Sequence, residues 1–230
     1  MRNKILIKMK NTIKFLRNLK KHNDREWFNA HKDEYLKAKQ TTDELTQRLI
    51  DTLAEIVPEA SGLRVSDCTY RIYRDTRFST DKTPYKEHIG IFINPPKGKK
   101  SLRCGYYLHL EPDNFLFAAG TICLPSPIVK AIRQSIYDEI DEYRSIVESS
   151  EFKSIFTSIG ENFLKTAPKG FPKDWEFIDY VRPKDFCCSC RLSEETILSP
   201  DLPTLLRPVF EQAKRFNDFI NYTIDEMTEG

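Results

Sequence analysis

The 230-residue chain has little of what would place it in an extreme class. Eight glycines and thirteen prolines are too few for a collagen-like or disordered chain, and hydrophobic residues at 40 % leave enough apolar side chain for a core. Long apolar runs are missing as well. Nothing approaches the roughly 18 uninterrupted apolar residues of a membrane span, and Ile5-Leu6-Ile7 falls short of the about 7–15 apolar residues of an export signal. A cytoplasmic location with no membrane partner is therefore expected. Net charge is small too: 36 Lys and Arg against 34 Asp and Glu give +2, so any attraction for an anion must be local.

Several chemical signatures are also absent. There is no P-loop, no dinucleotide glycine fingerprint and no Gly-x-Ser-x-Gly elbow, so the common nucleotide folds and the common serine hydrolases are not supported. The cofactor is left unknown. The six cysteines (Cys68, Cys104, Cys123, Cys187, Cys188 and Cys190) read as reduced thiols in the absence of an export signal. Cys187-Cys188-x-Cys190 lacks a Cys-x-x-Cys knuckle, and adjacent strand residues face opposite ways, so no metal is expected there.

What is present is periodicity. Ile13, Leu16 and Leu19 predict a short amphipathic helix over residues 12–20. Asn23-Asp24 then supplies a capping side chain before a long helix reaching Ile56, with a break expected near Thr41. From Cys68 to Thr121 the period falls to two, in CTYRIYR, HIGIFIN, RCGYYLHLE and NFLFAAG, which predicts a largely antiparallel sheet. Ile89, Ile91 and Ile93 should share a core face with Tyr106, Leu108 and Leu110, leaving His88, Tyr107, His109 and Glu111 on the other. A helix follows Pro125 and Pro127, with apolar residues at 128, 132, 136, 140 and 143. FCCSCRL reads as a further strand, and residues 202–227 as a closing helix with Leu205, Leu206, Phe210, Phe216 and Ile220 inward. The expected fold is α+β: a single domain over 1–230 with a mostly antiparallel central sheet, packed by a long N-terminal helix and two later helices. Residues 1–11 are expected to lie outside the ordered domain or upstream of the true start, for which Met1 and Met9 are equal candidates.

The most unusual stretch is YRIYRDTRFSTDKTPYKEH at 70–88, where Arg71, Arg74, Arg77, Lys82 and Lys86 interleave with Tyr70, Tyr73, Phe78 and Tyr85. Over 71–103 nine Lys and Arg stand against Asp75, Asp81 and Glu87, a local excess in a nearly neutral protein. Arginine forks suit phosphate and carboxylate, and aromatic neighbours can stack on a ring or base. The alternative is that Asp75 and Asp81 pair with the arginines to brace a long loop. His109, flanked on its face by Tyr107 and Glu111, could hold a general base beside a carboxylate, with Asp75 the other candidate for proton transfer.

The string R-x-x-R-D-x-R-F over 71–78 with D-K-x-x-Y over 81–85 resembles the bacterial family called domain of unknown function 2461. The similarity extends to FLRNLKKHNDREWF at 15–28, GYYLHLEP at 105–112, FAAG at 117–120 and LKTAPKGF at 164–171. It implies a single α+β domain of about this length in bacteria and no established activity. The chain departs from the family's habit at His22-Asn23, where Asn-Asn is usual, and at Ala118-Ala119-Gly120, where a glycine-rich turn is usual.

Three functional readings follow. The first is a small enzyme or binding protein holding a phosphorylated or carboxylated ligand through Arg71, Arg74, Arg77, Asp81, Lys82, Tyr85, Lys86 and Tyr107. The second is a nucleic-acid-binding module that uses the same cations for phosphates and the aromatics for stacking. In the third, the signature only braces an interaction domain. All the signature cations are expected around one concave centre, because like charges so close must be bridged by acids or a ligand.

Overall fold

Ile13, Leu16 and Leu19, three residues apart, are fully buried along one face of the first helix, α1 (Arg2–Lys21), in a computed structural model that describes residues 2–229. The helix begins well before the predicted Thr12. Met9 extends the buried stripe, and ion pairs from Lys8 to Glu44 at 2.7 Å and from Arg2 to Asp201 at 2.6 Å tie down its first turns. Residues 2–11 are therefore helical, and the expectation for Met1 lies outside the described residues. Asp24 caps the next helix, α2 (Arg25–Ala30), by accepting from the Trp27 N–H. The long run then breaks at His31, not near Thr41, and continues as α3 (Lys32–Ala54). His31 leaves helical geometry with φ −109° and ψ 21°. Thr41, Thr42 and Thr46 lie within this helix, their hydroxyls turned back to donate to carbonyls one turn earlier. A short helix, α4 (Val65–Cys68), leads into the signature stretch.

Five strands, β1 (Ile89–Ile93), β2 (Gly105–Leu110), β3 (Leu116–Thr121), β4 (Ser158–Ile159) and β5 (Phe186–Arg191), form an antiparallel sheet in the order β1-β2-β3-β5-β4. The fold is α+β, as the periodicity predicted. Ile91, Ile93, Tyr106, Leu108 and Leu110 are buried, whereas Ile89 at the strand's start is half-buried. Residues 68–74 form no strand. Only bridges join Thr69 to Ile91 and Tyr73 to Tyr85. On the outer side of Tyr85 the pairing position is taken by a side chain: Asn23 accepts from the Tyr85 N–H at 3.1 Å and donates to its carbonyl at 3.0 Å. Asn23 thus closes the ladder as a one-residue strand would.

The remaining helices are α5 (Ser126–Asp138), α6 (Ile140–Val147), α7 (Ser150–Ile155), α8 (Glu194–Leu198), α9 (Leu202–Leu205) and α10 (Arg207–Glu229). The helix predicted after Pro127 is split at Glu139, where ψ swings to 42°. Leu205, expected inward, is exposed at the end of α9.

The chain divides into two compact units. The first comprises Met1–Lys99, Tyr107–Phe117 and Arg191–Arg207, and contains α1, α3 and the signature stretch. The second comprises Lys100–Tyr106, Ala118–Cys190 and Pro208–Gly230. In the second unit Phe210, Ala213, Phe216, Ile220 and Ile224 line the buried face of α10. Phe210 meets Tyr106 edge-on at 5.7 Å, and Asn221 accepts from the Cys104 N–H at 2.7 Å. Gly120, at φ 124°, has no room for a Cβ, which would lie 2.2 Å from the Phe186 carbonyl. Beside it Cys188 and Cys190 are buried and Cys187 half-buried, following the strand alternation, and none of the three is in a disulfide. Burial pushes the Cys187 thiol up to about 12.

Candidate functional site

A cavity of about 470 Å³ opens in the first unit where α3, α4, the signature stretch and β1 meet. Its walls follow from local anchoring. Cys68 and Ile72 are buried, so the chain between them is pinned at both ends, and Thr69, Tyr70 and Arg71 form one side of the opening. Tyr35, Lys39 and Asp43, one turn apart along α3, supply the opposite wall. Lys86, His88 and Gly90 complete the lining.

Three cations, Lys39, Arg71 and Lys86, line this space and Lys99 stands beside it, and they differ in how they are held. Lys39 pairs with Asp43, one turn away. Lys99 donates to the Ser66 carbonyl at 2.9 Å and to the Thr69 carbonyl, with its ammonium 5.1 Å from the centre of the Tyr70 ring. The Lys86 ammonium lies 5.2 Å from the same ring. Burial, then Arg71 and Lys99, hold Lys86 below the usual lysine range. Neither Arg71 nor Lys86 makes an ion pair among the described residues.

Beside the cavity, alternation along β2 places Tyr107, His109 and Glu111 in one hydrogen-bonded row. Glu111 Oε2 lies 3.1 Å from His109 Nε2, and Nδ1 of that ring lies 2.7 Å from the Tyr107 hydroxyl. Burial alone would raise the Glu111 carboxyl, but bonds from Asn114, His109 and Lys20 outweigh it and bring it down to about 2. An ionised carboxylate only accepts, so His109 Nε2 donates to Glu111; when the ring carries that one proton, Nδ1 accepts from the Tyr107 hydroxyl. Burial, with Tyr70 and Glu111 adding, pushes the Tyr107 hydroxyl up to about 12. The row reaches the cavity wall at two places. The His109 ring lies 4.5 Å from that of His88, whose imidazole is held down at about 4 by burial, then by His109 and Lys86. The Tyr107 ring crosses over Gly90, where a Cβ would come within 2.8 Å of Cε2 and the hydroxyl oxygen. In proton-transfer terms the row is an oriented acceptor: a proton passed from Tyr107 to His109 is stabilised by the Glu111 carboxylate.

The family described as conserved hypothetical protein (DUF2461) matches residues 11–219 of the chain. The chain belongs to this family. No curated protein and no solved structure matches it. Among the described residues no helix is long and apolar enough to cross a membrane, and no group of His, Cys, Asp and Glu is placed to hold a metal ion.

In this DUF2461 chain the signature divides between two places instead of converging on one centre. Arg71 and Lys86 line the cavity. Arg74, by contrast, pairs with Asp81 and donates to the Thr83 hydroxyl. The Asp81 carboxyl is brought down to about 2 by the Thr83 N–H, the Arg74 guanidinium and the Thr83 hydroxyl. Arg77 forms a fork with Asp75, Nη2 to Oδ2 at 2.7 Å and Nε to Oδ1 at 3.0 Å, which lowers the Asp75 carboxyl. Lys82 donates to the Thr76 carbonyl at 2.9 Å. The stretch 74–83 is thus a self-braced loop, because its acids stand two residues from Arg77 and seven from Arg74. Tyr85 is a core residue stacked on Phe28 with ring centres 4.0 Å apart. Phe78 is 95 % exposed, with the Arg77 guanidinium 5.7 Å from its ring.

The candidate residues not foreseen are Tyr35, Lys39 and Lys99. The first two share a face of α3 at one-turn spacing, and that is the one signal that could have marked them. Lys99 comes from the turn after β1, and nothing in the sequence ties it to Tyr70.

Proposed function

We propose that this DUF2461 protein binds a small anionic ligand, phosphorylated or carboxylated, in the cavity bordered by Arg71 and Lys86. The observation that carries this reading is that Arg71 and Lys86 both line the cavity and neither makes an ion pair among the described residues, in a chain whose other signature cations have found acids or carbonyls. Arg71 and Lys86 repel each other, a cause second to burial in holding Lys86 below its ordinary range, and an anion between them relieves that repulsion. Tyr70 and Tyr35 offer ring faces to the rest of the ligand. The Tyr107–His109–Glu111 row gives the site acid–base capacity, so the reading extends to an enzyme.

Thermal unfolding with inorganic phosphate, a sugar phosphate and pyruvate tests it. A ligand at a hundred times its Kd stabilises the native state by about 2.7 kcal/mol, which for a chain of this size raises Tm by about 5–10 °C. Arg71→Ala and Lys86→Met should each remove most of that rise, and a wild-type protein indifferent to every small anion up to tens of millimolar would refute the site. A second reading, nucleic-acid binding, is favoured by the exposed Phe78 beside Arg77. It requires oligonucleotide affinity that falls with Phe78→Ala.

A further inference from the structure

Of the lysines in and beside the cavity, Lys86 is the one whose ammonium no ion pair or hydrogen bond among the described residues holds. Lys39 has Asp43, and Lys99 has two carbonyls. The acid next in sequence, Glu87, is engaged elsewhere, accepting from Asn23 Nδ2 at 3.2 Å. The backbone fixes the position of Lys86, since its N–H donates to the Ile72 carbonyl at 2.8 Å. Its side chain meets the Tyr70 ring, which supplies no ionised acceptor. A lysine kept only to attract anions is best left fully charged. Here burial and two neighbouring cations work against the charge. These are the conditions that make a lysine amine a nucleophile: desolvation and an adjacent positive group.

Arg71 stands at the same cavity with its fork uncommitted. We propose that the cavity captures 2-oxo acids, the carboxylate held by Arg71 and the adjacent carbonyl carbon bonded to Lys86 as an imine. This rests on the anion-site reading above and names its substrate class. The step balances without an oxidant or reductant. The amine lone pair forms the new C–N bond as the carbonyl π pair moves to oxygen. The two amine protons then leave with that oxygen as one water, giving C=N. His88, neutral near pH 7 and lining the same space, can carry a proton between nitrogen and oxygen.

The test uses the full-length protein with pyruvate and with 2-oxoglutarate, each in the presence of cyanoborohydride, which reduces an imine to a stable secondary amine. Adducts are then mapped by peptide mass spectrometry. Lactate, which has the carboxylate but no carbonyl, is the control, and calorimetric binding of pyruvate is measured in parallel without reductant. Labelling at Lys86 about tenfold above any other lysine is expected, since a held carbonyl meets the amine at a high effective concentration. Arg71→Leu should reduce it to the level of the other lysines, and Lys86→Arg should bind pyruvate without being trapped. Pyruvate that binds while labelling stays uniform over the lysines overturns the imine and leaves the anion site standing. The imine is equally overturned if Lys86 labelling is unchanged by Arg71→Leu. Failure of wild-type protein to bind pyruvate, phosphate or any other small anion removes both.

Discussion

Gly90 shows how one residue decides whether the proton-relay row and the cavity can coexist. Its missing side chain is the space the Tyr107 ring occupies, and that ring is not free to swing, because its hydroxyl is bonded to His109 at 2.7 Å. Gly90→Ala should therefore displace Tyr107, cost on the order of 1–3 kcal/mol by overpacking, and break the Tyr107–His109 bond. Urea denaturation reads the first effect and the imidazole nitrogen resonances of His109 the second; a variant with wild-type stability and unchanged His109 signals would show that the ring relaxes freely. The row also makes an acid-range prediction. Glu111 has a folded value of about 2 against an ordinary 4.5, so its contribution is full above pH 4.5 and is lost as pH falls toward 2. His88, depressed from 6.5 to about 4, acts in the window above: its unfolded form takes up protons first, so stability falls as pH drops from 6.5 to 4. Stability measured against pH should thus decline in two stages. Glu111→Gln should flatten the lower stage, worth on the order of 1–2 kcal/mol after solvent screening, while His88→Gln flattens the upper one. A single smooth decline unaffected by either change would show that neither group is linked to folding.

At the scale of elements, the signature stretch illustrates how a side chain can replace a strand. The residues flanking Tyr85 bond to the 72–74 segment on one side, through Arg74 N–H to the Pro84 carbonyl at 2.9 Å and Lys86 N–H to the Ile72 carbonyl at 2.8 Å. Asn23 takes the other side. Asn23→Ala leaves a half-buried N–H and carbonyl unpaired, which should destabilise by about 1–3 kcal/mol. Asn23→Asp, which restores only the acceptor, should fall between the two; a loss below about 0.5 kcal/mol for the alanine variant would mean that water takes over both groups. This substitution of side chain for strand is also why the sequence reading failed here. Alternation in CTYRIYR looks like pairing, but period two records only which residues face inward, not what bonds to the backbone. Where pairing is with real neighbours the same signal was sufficient: Ile91 and Ile93, Tyr106 to Leu110, and Cys188 with Cys190 lie as alternation placed them. Helix breaks were legible where a capping side chain marks them, at Asp24, and hidden where backbone geometry alone does, at His31 and Glu139. The two-residue β4 is too short to carry a period. At the site, the residue types of the signature were readable but not their partners. The Arg74–Asp81 and Arg77–Asp75 pairs depend on how a ten-residue loop closes, and the α3 wall depends on a tertiary approach that local pattern does not encode.

For the molecule as a whole, the question is how many cations remain for a polyanion. The chain is nearly neutral at +2, and its basic stretch is largely consumed internally: Arg74 by Asp81, Arg77 by Asp75 and Lys82 by a carbonyl. Only Arg71 and Lys86 of the signature stand without such partners. If a single-stranded oligonucleotide binds through these two alone, the log–log dependence of affinity on salt should have a slope of about −1.4, at roughly −0.7 for each phosphate neutralised. A protein that released the loop pairs to grip the backbone would engage five cations and give about −3.5 on the same scale. The loop pairs are exposed and individually weak, of order 0–1 kcal/mol each, so a polyanion could in principle compete for them, which makes the slope a discriminating measurement. The paired variant Arg74→Gln with Arg77→Gln adds a second axis. If the cavity is the anion site, this variant keeps the thermal shift given by phosphate or pyruvate, since neither side chain borders it. If the loop is a nucleic-acid track, the variant loses oligonucleotide affinity and its slope flattens from about −3.5 to about −2.1, while the small-anion response was never present. A slope steeper than about −3 that flattens to about −2 in the double variant would overturn the cavity reading in favour of nucleic acid. A shallow slope, with the small-anion shift intact in that variant and abolished by Arg71→Ala, is the outcome the charge pairing leads us to expect.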